Sequence, residues 1–427
     1  MLPSRPTRTP PGDNPPRRVV ITGLGVIAPN GLDCQSFWAS VRDGRSAAGL
    51  LTRFSTSGGP CRLAAEIRNF KASDYLEAKA ANRMERSMVY GVAAAKMAVA
   101  DAGIDFTEID PDRTGIVEAT SLSNQDALDK GRKAYDDRGH RAITPSMVIG
   151  AYVGSGSAEI SSIVGCKGHA ITCSSGSASG NDVMGYAKSM IQQEDVDVML
   201  AGGAEAPIFD TGYAGFAHVR VMSRWAGEPS EAMKPFDRRA DGFVMGEGAA
   251  YVVLEELSHA LSRGAHIYAE LLSHGRSCEA YHATAPHPDG VGLVRAMEKA
   301  YRGAGLPPTT TDYVNVHGTA NVSNDLAETR AIKTFFGSHA RRLSVSSTKP
   351  VTGHLLAAAG ALETVVCTLA IVNQTIPPTL NLRQPHEECD LDYVANGPRP
   401  YPIRVAANLN SGFGGKTSCL LLGSYSS

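Results

Sequence analysis

What the chain lacks narrows it first. Its 427 residues include eight cysteines, at 34, 61, 166, 173, 278, 367, 389 and 419, and no two form a C-x-x-C pair. That spacing excludes a zinc ribbon or a thioredoxin motif and fits reduced, mostly buried thiols. Metal-ligand spacing and a P-loop are also missing, so no metal is expected. The stretch G-L-G-V-I-A-P-N-G (23–31) contains a G-x-G but lacks the acidic residue and context of a dinucleotide site. Charge is nearly balanced, 41 Lys and Arg against 43 Asp and Glu, giving −2 at pH 7. Nucleic acid as the main partner therefore has no electrostatic case. No apolar run approaches membrane-spanning length. The first sixteen residues, M-L-P-S-R-P-T-R-T-P-P-G-D-N-P-P, are Pro-rich with no apolar h-region. They read as a disordered tail rather than a signal peptide, and the expected location is the cytoplasm.

What is present suits a globular protein. Hydrophobic residues make up 43% and charged residues 20%, and the length allows two or more core-forming units. R-R-V-V-I-T-G-L-G-V (17–26) reads as a buried strand and tight turn. A helix is expected around 35–43, and another over 83–103 with a glycine stop. T-G-I-V-E-A-T (114–120), H-A-I-T-C (169–173), V-D-V-M-L-A-G-G-A-E (196–205) and A-A-Y-V-V-L-E-E-L (249–257) read as strands. A helix starts at Ser179, with Val183, Met184, Ala187, Met190 and Ile191 on one face. The second half repeats this grammar. D-Y-V-N-V-H-G-T (312–319) is a strand, and 342–363 is strand, loop and a helix of small residues. V-A-A-N-L-N (405–410) and T-S-C-L-L-L-G (417–423) flank the glycine loop S-G-F-G-G (411–415). Alternating strands and helices with short glycine turns predict an α/β fold. The two halves share a layout, but their sequence similarity is too faint to prove a duplication.

Three polar elements fall at strand ends: the turn C-S-S-G-S-A-S-G (173–180), His317, and Lys349 with His354. Each alone has an ordinary reading, as an N-cap, a structural histidine or a solvated lysine. Together they mark junctions where α/β folds place active sites.

From Arg17 onward the chain resembles the elongating β-ketoacyl-ACP synthases (ketosynthase II-like) of the thiolase superfamily. The resemblance rests on 17–26, A-G-G-A-E (201–205), P-F-D-x-x-A-D-G-F-V-M-G-E-G (235–248), V-H-G-T (316–319), S-S-T-K-P-V-T-G-H-L-L-A-A-A-G-A-L-E (346–363) and G-F-G-G (412–415). It implies a thiolase fold, layered αβαβα, with two similar halves at 17–265 and 266–427. It implies His317, His354 and Lys349 around the reacting centre, with Asp325, Glu328 and Glu363 in support. It further implies pocket and gating residues Phe243, Gly412, Phe413 and Gly414, and pantetheine contacts at Thr319 and Asn321. The backbone N–H groups of Ser177 and Phe413 would form an oxyanion hole. No bound cofactor is expected, since phosphopantetheine arrives on an acyl carrier protein. Arg83, Arg86, Arg220 and Arg224 are candidates for docking it. A dimer is expected through 145–160, either a homodimer or a heterodimer with a cysteine-bearing ketosynthase.

Laid on the family pattern without gaps, Gly180, Gly185 and A-G-G-A-E fall in register, and the nucleophile position is Ser177; Cys173 lies four residues earlier. A serine hydroxyl does not ionise near neutral pH as a thiol does and needs an adjacent base. The expectation is therefore a decarboxylase that turns malonyl-ACP into acetyl-ACP, of the kind found in polyketide β-branching cassettes. Two alternatives stay open: a partner subunit resembling a chain-length factor, and a condensing or acyl-transfer enzyme with Ser177 as nucleophile. Asn321, where the family has threonine, and Ser411, where it has phenylalanine, depart from the pattern near the thioester.

Overall fold

A computed structural model describes residues 16–426 except 57, 107, 123 and 396. Of the proline-rich tail, 1–15 lie outside the described residues. Ten strands form the main sheet: β1 (Val19–Ile27), β2 (Thr114–Ala119), β3 (Ala170–Cys173), β4 (Val198–Glu205), β5 (Gly248–Glu256), β6 (Ala269–Cys278), β7 (Tyr313–Asn315), β8 (Ser344–Ser346), β9 (Val405–Gly412) and β10 (Lys416–Gly423). The helices that matter below are α1 (Arg86–Ala102), α2 (Ser179–Gln192), α3 (Val291–Ala304), α4 (Val322–Phe336), α5 (Lys349–Thr352) and α6 (Ala359–Asn373).

The strand order is β8-β7-β9-β10-β6-β1-β5-β4-β2-β3. Its two halves are copies in topology. Reading outward from the centre, β1-β5-β4-β2-β3 becomes β6-β10-β9-β7-β8 when five is added to each number. Strand directions repeat as well: in both halves the inner two pairings are antiparallel and the outer two parallel. The duplication too faint to prove in the sequence is thus plain in the fold. The halves join through a short antiparallel contact, Val20 to Glu270 and Ile21 to Ala269.

Helices cover both faces, which is why β1, β4 and β5 are buried along their whole length. α1 packs outside the first half-sheet and α3 outside the second, while α2 and α6 lie between the two. The result is the five-layered αβαβα arrangement. Small residues let the two central helices cross closely. A Cβ on Gly180 would lie 2.3 Å from the Ala361 nitrogen, and one on Gly360 would lie 2.7 Å from the Asn181 nitrogen. This crossing brings the starts of α2 and α6 together.

One expectation needs correcting. Leu356–Asn373 is long and apolar enough to cross a membrane by length and composition. It is α6 with the turn before it, 89% buried in the protein interior. A helix enclosed by sheets on two sides is apolar all round for the same reason a membrane span is.

Candidate active site

β3 ends at Cys173, and α2 begins at Ser179. Cys173 closes the strand and packs against the main core; it is absent from the cavity wall described below. Burial, reinforced by Asp182, pushes its thiol above the ordinary range, which disfavours a thiolate. Ser177 stands at the tip of the turn. Its Oγ lies 3.0 Å from His354 Nε2. The turn beneath it is pinned: the Ser175 N–H donates to Ser179 Oγ at 2.7 Å, and Ser175 Oγ donates to Asp182 at 2.6 Å. Asp182 in turn accepts from His274 at 3.1 Å and Ser418 at 2.9 Å, both from the second half.

His317 follows β7, and its ring meets that of His354 nearly at right angles, centroids 5.3 Å apart. The His354 backbone donates to the Val244 carbonyl at 2.8 Å and accepts from Gly246 at 2.9 Å, tying it to the P-F-D…G-E-G segment. Both rings are buried. Burial, with the Lys349 charge second, holds both imidazoles well below their ordinary pKa, so both are neutral at pH 7. Lys349 is buried and ion-paired to Glu363 of α6. Of the three supporting carboxylates, Glu363 accepts from the Lys349 and Asn410 side chains, while the other two hold backbone N–H groups. Glu328 accepts the N–H groups of His317 at 2.7 Å and Gly318 at 2.8 Å. Asp325 accepts the Phe236 N–H at 2.9 Å. Burial raises Glu328 to about 8 and Asp325 to about 7.

Ser177, His317, His354, Phe243, Gly412, Phe413, Thr319 and Asn321 all line one cavity of about 410 Å³. Lys349, Asp325 and Glu363 are buried behind it and do not line it. The glycine loop approaches the Ser177 turn backbone to backbone: a Cβ on Gly412 would lie 2.6 Å from the Ser175 carbonyl oxygen and 3.0 Å from the Ser177 nitrogen. Gly414, with φ +80°, does not line the cavity. Its N–H is tied to the Ala283 carbonyl at 2.7 Å. Half-exposed Phe413 stacks on Phe216 with centroids 5.9 Å apart. Phe216 meets Phe243 at 6.1 Å, and Phe243 meets His354 edge-on at 5.0 Å. Phe216 was missed in the sequence, where it is one apolar residue on a helix and carries no motif. Asn410 was missed too, although it touches His317.

Of the arginine candidates, Arg86 is corrected. Its guanidinium donates to the Ala206 and Ile208 carbonyls at 3.3 and 3.0 Å and faces buried Glu247 at 3.7 Å. It is a structural tie. Arg83, Arg220 and Arg224 are exposed, and Arg220 lies at the cavity mouth. Within 145–160, Val148, Ile149, Tyr152 and Val153 are exposed, and so is Ile171 on β3, the edge strand of the sheet.

Comparison with known proteins matches this architecture. The family described as "Beta-ketoacyl synthase, N-terminal domain" matches residues 16–260, and "Beta-ketoacyl synthase, C-terminal domain" matches 268–383. A 3-oxoacyl-(acyl-carrier-protein) synthase 2 from Synechocystis is 40% identical over 411 residues, covering 96% of this chain and 98% of the relative. The ishigamide ketosynthase/chain length factor superposes with a TM-score of 0.90 at 33% identity, covering 96% of this chain and all of that one. A type II PKS acyl-carrier protein in complex with its ketosynthase gives 0.89 at 32% identity, with the same coverage.

Proposed function

The chain belongs to the β-ketoacyl synthase family, and on that premise we propose that it is a decarboxylase converting malonyl-ACP to acetyl-ACP. The observation that carries this reading is the pairing of Ser177 with His354. The serine has a neighbouring imidazole, but the far nitrogen of that ring, Nδ1, has no partner among the described residues. A serine triad needs a third group to orient and charge-balance the base. Without one, acyl transfer to Ser177 is slow, while both histidines remain for decarboxylation.

Decarboxylation asks little of residue 177. The malonyl carboxylate leaves as CO2, and its electron pair passes into the thioester as an enolate. That oxygen needs preorganised donors in a dry site. The Ser177 and Phe413 N–H groups and the buried His354 ring are the candidates. With no acyl-enzyme to attack, the carbanion takes a proton and acetyl-ACP departs. The phosphopantetheine arm belongs to the carrier and would pass Thr319 and Asn321. We place the partner carrier at the Arg220 face and a second ketosynthase-type chain, identical or cysteine-bearing, on the exposed β3 edge. Supply of acetyl-ACP to polyketide β-branching fits this chemistry.

The test pairs malonyl-ACP with an acyl-ACP donor. The reading expects acetyl-ACP, no β-ketoacyl product and no acyl adduct on Ser177. A β-ketoacyl product from the protein alone would overturn it in favour of condensation through Ser177. Product formed only with a cysteine-bearing homologue would favour the chain-length-factor-like role.

A further inference from the structure

The other catalytic histidine has a partner whose own contacts fix its orientation. Asn410 sits near the end of β9, fully buried. Its side-chain nitrogen donates to Glu363 Oε2 at 2.8 Å and to Asn408 Oδ1 at 3.0 Å. Asn408 Oδ1 is itself oriented, because the Asn408 amide nitrogen donates to Asn181 Oδ1 at 2.9 Å and the Gly360 carbonyl at 3.0 Å. Amide oxygen and nitrogen are told apart by such a network. Flipping Asn410 would set its oxygen against two acceptors. Its nitrogen therefore faces Glu363 and Asn408, and its oxygen faces His317 Nδ1 at 3.2 Å. That oxygen only accepts, so Nδ1 carries the hydrogen.

We propose that Asn410 is a positioning residue that locks His317 in its Nδ1–H tautomer, leaving Nε2 as an unprotonated hydrogen-bond acceptor for the cavity. The chemical consequence is a division of labour between two histidines of like type. A neutral ring in this tautomer cannot donate to the enolate oxygen. Enolate stabilisation then rests on His354 and the backbone N–H groups, while His317 accepts a hydrogen bond from a water or from the substrate. The inference deepens the decarboxylase reading, yet its geometry does not depend on the substrate.

The charged and titratable groups around His317 are Lys349 of α5, whose charge acts on the ring, the His354 ring across the cavity, and Glu328 of α4 on the His317 backbone N–H with Asp325 beside it; Glu363 of α6 stands on the far side of Asn410. Lys349 disfavours a second positive charge on His317, and burial does the same, which keeps the tautomer question one of neutral forms.

The experiment is long-range 1H–15N NMR on protein with ring-labelled histidine, without ligand, the His317 signals being assigned by their loss in His317→Ala. The expected pattern is a pyrrole-like Nδ1 and a pyridine-like Nε2. A pyrrole-like Nε2 in the wild type would overturn the proposal, whether or not the protein decarboxylates malonyl-ACP. Asn410→Ser and Asn410→Asp supply the second readout. Asn410→Asp places a carboxylate on Nδ1–H and should move the acidic limb of the rate profile upward by about one pH unit or more. Asn410→Ser should mix the tautomers in the spectrum. A uniform drop in rate with unchanged tautomer pattern and limb position in both would contradict the proposal. If Asn410→Asp does not fold, the wild-type spectrum and Asn410→Ser still decide it.

Discussion

Ser177 and His354 are in hydrogen-bond contact across 177 residues of sequence, Oγ to Nε2 at 3.0 Å. The contact joins the tip of the turn before α2 to the turn between α5 and α6. It sets a hydroxyl in the wall of the cavity that His317 and His354 also line. The consequences of that single oxygen can be measured.

Ser177→Cys should restore acyl loading. A thiol near a helix N-terminus gives thiolate at neutral pH, and a serine does not. Intact-protein mass after incubation with acyl-ACP should show the acyl increment on Ser177→Cys and none on the wild type. An equal increment on both would mean that Ser177 is already a competent nucleophile.

The pH dependence follows from the neutral histidines. Burial first, then Lys349, holds His317 and His354 well below 6.5. The working neutral forms therefore persist as pH falls, and decarboxylation should stay flat from pH 7.5 through 6.5. Linkage has a matching sign. The unfolded chain takes up protons at these histidines below about 6.5, and the native state does not. Their contribution to stability is thus present above that pH and declines below it. A rate that halves near 6.5 would contradict the neutral assignment.

Lys349→Ala should destabilise strongly. It strands Glu363, which is buried and keeps Asn410 as its one other side-chain donor among the described residues. Breaking one partner from a buried pair costs about 3–5 kcal/mol. Urea unfolding reads the loss, and Lys349→Ala with Glu363→Gln should recover part of it. A change under ~1 kcal/mol would show that the pair is not desolvated as it stands.

Gly412→Ala tests the seam between the two halves. The added methyl meets the Ser175 carbonyl oxygen and the Ser177 nitrogen, so the glycine loop must retreat from the turn. An oxyanion donor lost this way costs about 10²–10³ in rate. Full activity in Gly412→Ala would remove the Phe413 N–H from the donor set.

Much of this was legible in the sequence, and the reasons differ by element. β1 and β5 read as strands because enclosed strands are continuously apolar, and β9 and β10 because a glycine loop separates them. The Ser177 position came from the spacing of Gly180, Gly185 and A-G-G-A-E along a resemblance, which no composition could supply. Asn410 was not legible: its meaning comes from Glu363, Asn408 and His317, all brought to it by the fold. Arg86 misled for the converse reason, since the carbonyls of Ala206 and Ile208 that bind it leave no mark on side-chain sequence. The repeated topology was hidden because packing in layers preserves strand order while side chains diverge.

The central claim is decarboxylation without condensation. The most direct measurement is the mass of malonyl-ACP during incubation with the purified protein alone. The account predicts loss of CO2 to give acetyl-ACP, slowed about 10²–10³-fold in His354→Ala. Malonyl-ACP that stays intact with the wild type, while a known condensing enzyme consumes the same carrier, would contradict it.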